Sequence, residues 1–422
     1  MRIALLGYRS HPHVGGQGIY LHYVSKALVD LGHQVDVISG PPYPELDPRV
    51  GLIKIPSLDL YAADDHVRAL RWHHLRSFTD TWEWWTMLTG GFGEPYTFGR
   101  RLVKWFDRQQ PDYDIIHDNQ SLCYGLLKLQ KRYPLLATVH HPITRDRDIA
   151  VAAARSTGHR WLVRRWYSFL TMQKKVVKKL HRVITVSHQS RLDIAEAFHR
   201  PANNIQVIAN GIDTDIFKPL PQVVREPLQL ITTASSDQPL KGLSVLLRAM
   251  AGLRHHYPQL TLLVIGKLNA GGATEKELQE LQLQQAVRFV SDLERDEIVR
   301  LYASATLAVV PSLYEGFGLP ALEAMACGIP LVCSDGGALP EVVGDAAQRV
   351  AAGDAVALQT AIARLLDDPA LRDDYARRGL QRAQQHYRWP VIAKQLADYY
   401  YSLLPAAAPA PVSSSRASYV ND

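Results

Sequence analysis

The 422-residue chain contains little cysteine, with only Cys123, Cys327 and Cys333. Three cysteines at these spacings build no disulfide framework and match no metal-binding motif, so a reducing compartment is expected. No apolar run approaches the ~20 residues that cross a bilayer. The first apolar run stops at Gly7, which is too short for a secretory signal. These absences predict a cytoplasmic protein without a membrane span.

Acidic residues are absent from residues 149–192, a stretch that contains ten lysines and arginines, whereas the whole chain carries a net charge of only +6. Within it, residues 160–182 combine Trp161 and Trp166 with basic side chains, a pattern typical of an amphipathic helix on an anionic membrane. The alternative is that the aromatic residues belong to the core and the basic residues to a solvated face. No nucleic-acid recognition motif accompanies the charge. We therefore expect peripheral contact with the inner face of the plasma membrane and no nucleic-acid partner.

Short apolar strands alternate with amphipathic helices along the chain, and the alternation restarts after a proline-rich break at 218–227. This pattern is typical of parallel, doubly wound sheets. We therefore predict an α/β protein with two Rossmann-like domains that face a central cleft. The aromatic-rich residues 60–106 lack clean periodicity and are expected to elaborate the first domain. The strands are predicted at 2–6, 35–39, 115–117, 136–140, 182–186, 228–233, 260–265, 287–290, 307–310 and 331–333.

The most informative segment is 310–328, which places Glu315 and Glu323 on either side of a glycine-rich turn. Pro320 suits a helix start, so Glu315 is expected in the loop after a strand and Glu323 in the first helical turn. The free N–H groups of Gly318 and Leu319 at such a helix start favour an anion. Carboxylates accept hydrogen bonds from hydroxyl groups. Phosphate beside polyol predicts a sugar nucleotide as the ligand.

These features resemble family 4 of the retaining glycosyltransferases, which have the GT-B fold. The resemblance implies an acceptor domain at 1–212, a donor domain at 213–388 and a helix at 389–404 that returns to the first domain. The tail at 405–422 is rich in proline, alanine and serine and is therefore expected to be disordered. The resemblance covers roughly residues 1–404. The supporting motifs are Gly15-Gly16, His140, Ser187, Asn210-Gly211-Ile212-Asp213, Lys241-Gly242, Glu315-Gly-Phe-Gly-Leu-Pro320 with Glu323, and Gly328-Ile329-Pro330.

The resemblance also implies the roles of individual residues. Glu315 would contact the donor sugar, Glu323 the ribose, and Lys241 the pyrophosphate. The reaction would move a sugar from a UDP- or GDP-sugar to a lipid-linked or soluble hydroxyl acceptor, without a metal or a resident cofactor. The expected catalytic residues are Glu315, His140 and Lys241. The expected donor-binding residues are Gly16, Ser236, Lys241, Glu315, Phe317, Gly318, Leu319 and Glu323.

One position departs from the family pattern. The family usually has an arginine five residues before the lysine, and Ser236 occupies that position here. One bidentate cation is therefore missing from the donor site. Either Lys267 compensates, or hydroxyl and backbone groups hold more of the donor phosphate.

Other interpretations remain open from the residues alone. Lys241 could be a solvated lysine, His140 a satisfied core histidine, and Glu323 an acid placed by the helix dipole. A nicotinamide enzyme would need a third glycine where Leu21 stands, and a retaining glycosidase would have no use for an anion-binding helix start. A non-catalytic sugar-nucleotide binding protein and a GT-B sugar-nucleotide epimerase are the remaining alternatives.

Overall fold

The computed structural model describes residues 1–404 except 13–15, 61, 63–64, 66–68, 153 and 155, and it leaves out the side chain of Arg145. These residues form two entirely parallel sheets of seven and six strands. Helices connect the strands and cover both sheets. The prediction of two Rossmann-like domains around a cleft is confirmed. The predicted tail, 405–422, lies outside the described residues.

The first sheet has the strand order β3-β2-β1-β4-β5-β6-β7. Its central strands β4 and β5 are buried along their whole length, because helices pack on both faces. The strands are β1 (Arg2–Gly7), β2 (Gln34–Ser39), β3 (Gly51–Lys54), β4 (Ile115–Asn119), β5 (Leu135–Val139), β6 (Arg182–Thr185) and β7 (Ile205–Val207). The helices are α1 (Gly16–Asp30), α2 (Phe78–Leu88), α3 (Glu94–Gln109), α4 (Tyr124–Leu129), α5 (Thr144–Ala152), α6 (Thr157–Trp166), α7 (Leu170–Lys179) and α8 (His188–Phe198).

The second sheet has the order β10-β9-β8-β11-β12-β13. Its strands are β8 (Gln229–Thr233), β9 (Thr261–Ile265), β10 (Val287–Val290), β11 (Leu307–Val310), β12 (Leu331–Ser334) and β13 (Gln348–Val350). The helices are α9 (Leu243–Leu253), α10 (Ala273–Glu280), α11 (Arg295–Ser304), α12 (Leu319–Ala326), α13 (Leu339–Val343), α14 (Ala355–Asp367), α15 (Pro369–His386) and α16 (Trp389–Leu403).

All ten predicted strands are present within two residues of the predicted ends. The sequence analysis missed β3, β7 and β13, which are three sheet-edge strands of only three or four residues. In each of these strands, exposed residues alternate with residues that are buried or partly buried. None of them therefore has the continuous apolar run that marks a central strand.

The prediction of one helix over 160–182 is wrong. Ser156 caps α6 by accepting from the His159 amide, and a 3₁₀ turn at Tyr167–Phe169 separates α6 from α7. The α7 helix ends at Lys179, and Arg182 already belongs to β6. The two helices differ in environment, because α6 contains no buried residue whereas α7 buries one apolar face.

The aromatic-rich stretch contains a 3₁₀ helix, Trp72–Arg76, followed by α2 and α3. Arg101 on α3 forms ion pairs with Asp80 and Glu83 on α2. These contacts attach α2 to the first domain as an addition outside the alternating pattern.

The last helix, α16, packs on α1 of the first domain. The Trp389 ring stacks on Tyr23 at 5.8 Å, and the Tyr400 hydroxyl lies 2.6 Å from Nδ1 of His117. The chain thus crosses twice between the domains. Within the described part of the chain, no helix has the length and apolar character needed to span a membrane.

Candidate active site

Lys241 and Glu315 meet at the carboxyl end of the second sheet. The Lys241 Nζ atom donates to Glu315 Oε1 at 2.8 Å, and the Ser312 hydroxyl donates to the same oxygen at 2.9 Å. The Glu315 side chain is largely buried, whereas Lys241 is about one-third exposed. The pair therefore presents a cation and a carboxylate side by side at the edge of the cleft.

The backbone at Gly242 fixes Lys241 in this position. Gly242 has φ +67°, and a Cβ atom there would lie 2.0 Å from the Pro311 carbonyl oxygen. The Leu313 amide also donates to the Leu240 carbonyl at 2.8 Å. Only glycine permits this left-handed backbone and close approach at no steric cost. The two loops that follow β8 and β11 are consequently held together.

The start of α12 faces the cleft with free backbone donors. Gly318 adopts φ 102° as the residue before the helix, and Pro320 occupies its second position. The amides of Gly318 and Leu319 donate to no group of the described residues. Phe317 is buried and packs edge-on against Tyr387 at 5.9 Å. Phe317 thus anchors the loop from behind. The amides of Gly318 and Leu319 are free at the helix start, as expected from the sequence, and their binding of an anion stays a prediction.

Glu323 lies on α12 one turn beyond Leu319, with Oε2 at 3.4 Å from the Tyr302 hydroxyl. Burial raises the pKa of Glu323 to about 7, although the Tyr302 hydrogen bond and the charges of Arg295 and Lys241 oppose the shift. Glu323 therefore lies within electrostatic reach of the lysine that pairs with Glu315.

The two domains contact each other directly at this loop. The Gly316 carbonyl accepts hydrogen bonds from the Ser187 and Ser190 hydroxyls at 2.8 and 2.9 Å. The Glu341 carboxylate accepts from the amides of His188 and Gln189 at the start of α8. A carboxylate is favoured at that position by the free amides and the helix dipole. The first domain therefore holds the glycine-rich loop of the second.

His140 approaches the loop from the first domain. A Cβ atom on Gly316 would lie 3.8 Å from the His140 carbonyl oxygen. Nε2 of His140 lies 2.8 Å from Asn119 Oδ1, and burial, assisted by His141, lowers the pKa of His140 to about 3. The ring is therefore neutral at pH 7. Because Asn119 Oδ1 accepts from Nε2–H, Nδ1 is left as an acceptor.

Gly16 is the first residue of α1 and is exposed, and a Cβ atom there would meet no atom of the described residues within 4 Å. The close backbone approach falls instead at Gly18, where a Cβ atom would lie 2.1 Å from the His11 carbonyl oxygen. The donor-binding role of Gly16 stays a prediction.

Ser236 is buried, and its Oγ atom accepts from the Asn269 amide at 2.9 Å. This hydrogen bond supports the loop after β9, which carries the exposed Lys267. The serine that replaces the expected arginine thus has a structural partner. Its contact with the donor, and the compensating role of Lys267, stay predictions.

The sequence analysis did not identify two cross-domain contacts beside the site. Arg295 at the start of α11 donates to the Tyr23 hydroxyl and lies over the Tyr23 ring at 5.1 Å. Ser190 donates to Gly316 as described above. Arg295 begins α11, directly after the loop that follows β10, at the carboxyl end of the sheet. This position beside the expected ligand cleft is the only feature of the sequence that points to a role for Arg295.

Comparison with known proteins agrees with this arrangement. Residues 14–216 match the family described as Glycosyltransferase Family 4, and residues 221–382 match Glycosyl transferases group 1. The chain is 46% identical over 405 residues to the MMP alpha-(1->4)-mannosyltransferase of Mycolicibacterium hassiacum, an alignment that covers 95% of this chain and 98% of that protein. The chain belongs to glycosyltransferase family 4.

More distant relatives also align with nearly the whole chain. The glycogen synthase of Mycobacterium tuberculosis strain H37Rv is 30% identical over 417 residues, with 95% of this chain and 94% of that protein covered. A sucrose-phosphate synthase structure from Thermosynechococcus elongatus superposes with a TM-score of 0.71 at 24% identity, over 96% of this chain and 99% of that one, which shows the shared fold.

This family 4 protein is a glycosyltransferase, so the prediction of an enzyme is confirmed. It transfers a sugar from a nucleotide-sugar donor to a hydroxyl acceptor. The structure brings Lys241, Glu315, Glu323, Gly318 and Leu319 together at one end of the second sheet, and it places His140 opposite them. The individual roles of these residues stay predictions.

Proposed function

We propose that this enzyme forms α-(1→4)-mannosyl linkages with retention of configuration. The observation that carries the proposal is the 46% identity to an alpha-(1->4)-mannosyltransferase along nearly the whole length of both proteins. The donor is a nucleoside-diphosphate mannose, and the acceptor is a hydroxyl group of a glycan.

The charges around α12 support a specific placement of the donor. The diphosphate lies against the amides of Gly318 and Leu319, with Lys241 as the neighbouring cation. Glu315 accepts from a hydroxyl of the donor sugar, and Glu323 accepts from the ribose. Because Lys241 and Glu315 are 2.8 Å apart, a single ligand reaches both groups at the junction of its sugar and phosphate.

The proposed chemistry is a front-face displacement. The acceptor oxygen forms a bond to the anomeric carbon as the bond to the phosphate oxygen breaks, and the departing phosphate oxygen takes the acceptor proton. Lys241 and the helix amides stabilise the charge that develops on the diphosphate. Neutral His140 offers its free nitrogen to a sugar hydroxyl. The reaction as proposed uses no metal, and undiminished product formation in EDTA is the expected result.

The experiment measures nucleoside diphosphate release from GDP-mannose, UDP-glucose and other nucleotide sugars, with and without an α-(1→4)-linked oligomannoside. The expected result is release from GDP-mannose that depends on the acceptor and yields a product one hexose longer. Binding without release would support the sugar-nucleotide binding protein instead. Release or sugar isomerisation without an acceptor would support an epimerase. Glu323→Ala provides the inactive control.

We also propose that the enzyme works in the cytoplasm at the inner face of the plasma membrane. The contact surface, called here the tryptophan surface, comprises exposed apolar side chains of residues 72–88 and of α6. Contiguous exposure of this kind marks an interaction site. The exposed residues are Trp72, Leu75, Phe78, Trp82, Trp85, Leu88, Trp161, Leu162 and Trp166.

The two parts of the tryptophan surface are joined by direct contacts. Arg165 on α6 donates to Thr89 Oγ1 at 2.8 Å, directly after α2, and Phe92 stacks on Trp166 at 5.4 Å. Exposed Arg160 and Arg164 lie on α6, and exposed Lys174 and Lys175 follow on α7. Aromatic side chains beside basic ones, without acids in that helical segment, suit the interface of an anionic bilayer.

A further inference from the structure

The first domain contains a second polar cleft, far along the strands from the donor site. It has a volume of about 590 Å³ and is open to solvent. We call it the basic cleft, because five basic residues and no acidic residue line it. The lining comprises Lys178, Leu180, His181, Arg182, His199, Arg200, Pro201, Asn203, Asn204, Gln206 and Tyr399.

The basic cleft is separate from the active site because it lies at the opposite end of β6. Arg182 is the first residue of β6, whereas Ser187, which bonds to the donor-domain loop, follows the last. The strands are parallel, so the amino ends face away from the cleft between the domains. Nothing in the proposed transfer reaction uses this position.

Among the described residues that line the basic cleft, no acidic side chain balances the positive charge. Arg200 is buried, and its guanidinium group donates to the carbonyl oxygens of Val177, Leu180, His181 and Asn204 rather than to a carboxylate. Burial lowers the pKa of Arg200, which reflects this unfavourable environment for a cation. Arg182 and Lys178 form no ion pair or hydrogen bond through their side chains with any described residue.

An anion would neutralise this charge, and the cleft size fits a small organic ligand. Lys178 and Arg182 supply mobile charged donors, while Asn203 supplies an amide group with no described partner. Tyr399 on α16 closes one side and offers an aromatic ring and a hydroxyl. Phosphate esters combine a doubly charged head with a polar or apolar body, which matches charged donors beside an aromatic wall.

We propose that the basic cleft is a binding site for a phosphate monoester, with the phosphate between Lys178 and Arg182. The bound ligand connects the edge of the first sheet to α16, the helix that returns from the donor domain. The phosphate belongs either to a soluble metabolite or to a lipid head group, and the experiment separates these sources.

The test uses the full-length enzyme and two double variants. Lys178→Ala with Arg182→Ala removes both mobile cations from the basic cleft. Lys104→Ala with Arg300→Ala removes the same charge from exposed positions elsewhere and is the matched control. Calorimetry measures binding of glycerol 3-phosphate and inorganic phosphate, sedimentation measures binding to phosphatidic acid vesicles against phosphatidylcholine, and hydrogen exchange locates protection.

The expected result is that the soluble ester protects residues 178–182 and 199–206 from hydrogen exchange. Its affinity should be at least roughly tenfold weaker in the cleft variant, because each charge-assisted hydrogen bond contributes about a tenfold factor in affinity. The control variant should bind the ester with unchanged affinity. Binding of phosphatidic acid vesicles alone, lost in the cleft variant, would assign the phosphate to a lipid. Equal binding by both double variants, or protection confined to 315–323, would overturn the proposal.

Discussion

Nζ of Lys241 lies 2.8 Å from Oε1 of Glu315, although the two residues belong to loops after different strands. The glycine at 242 permits this contact by allowing the two loops to approach each other. In the proposed donor placement, this ion pair positions Lys241 as the cation at the junction of the donor sugar and its diphosphate. It thereby connects the sequence motifs to the proposed chemistry.

Lys241→Ala should lower turnover with GDP-mannose by roughly 10²-fold or more, because a preorganised cation that stabilises the leaving diphosphate is lost. Steady-state kinetics measures the effect, and circular dichroism checks folding. Lys267→Ala is the matched comparison. A large loss in Lys267→Ala as well would show that Lys267 compensates for the serine at 236, whereas a rate within twofold of wild type for Lys241→Ala would remove Lys241 from the site.

Donor affinity should depend on pH through Glu323. Its pKa of about 7 means that the carboxylate able to accept two ribose hydroxyls is a minor species at pH 6. Affinity should therefore rise about tenfold from pH 6 to pH 8, in proportion to the ionised fraction. Calorimetry with GDP on wild type and Glu323→Gln separates this effect from ionisation of the phosphate, and parallel pH profiles would contradict the ribose role.

The same pKa shift has a consequence for stability. Between pH 4.5 and 7 the folded protein keeps a proton on Glu323 that the unfolded chain has released, so this group's contribution to stability falls as pH rises through that window. Glu323→Gln should therefore raise the unfolding temperature relative to wild type at pH 8. The difference should shrink toward pH 4.5, and thermal unfolding at both pH values measures it.

Two glycine substitutions should separate folding from donor binding. Gly242→Ala should destabilise the protein by more than the about 1–2 kcal/mol of a left-handed backbone alone, since its Cβ would also collide with the Pro311 carbonyl. The new methyl group of Gly16→Ala would meet no atom of the described residues, so this variant should leave stability within about 0.5 kcal/mol. If Gly16 lies beside the donor phosphates, its variant should still raise the KM for the donor. Unchanged KM would exclude that role.

The tryptophan surface should bind anionic vesicles. Trp161→Ala with Leu162→Ala should weaken binding to phosphatidylglycerol vesicles at least tenfold, because each exposed side chain loses roughly 1.5–3 kcal/mol of apolar burial. Lys174→Gln with Lys175→Gln should weaken it and reduce its salt dependence. Leu192→Ala, exposed on α8, is the control. Wild-type protein that stays in solution with such vesicles would refute membrane contact and favour a soluble acceptor.

The sequence predicted the central strands because their apolar runs reflect burial on both faces. It also predicted the turn that brings Gly318 beside two glutamates, since glycine and proline act through the local backbone. It did not reveal β3, β7 and β13, whose short, partly exposed runs become strands only through a neighbour in the sheet. The contacts of Ser190 with Gly316 and of Arg295 with Tyr23 depend on how the domains meet, which local patterns do not encode.

The break between α6 and α7 also depends on tertiary packing rather than on the local sequence pattern. A continuous run of basic and aromatic residues favoured one helix, yet the buried side chains of α7 are fixed by packing against the first domain. The α6 helix carries no such buried residue. Tertiary packing therefore overrode a uniform local pattern.

The anomeric configuration of the new linkage tests the central claim most directly. The enzyme is incubated with GDP-mannose and an α-(1→4)-oligomannoside, and the product is analysed by NMR. An α-(1→4)-linked mannose, formed together with one GDP per sugar transferred and formed roughly 10²-fold more slowly by Lys241→Ala, is the predicted result. A β-linked product, or hydrolysis of the donor with no sugar transferred, would contradict the account.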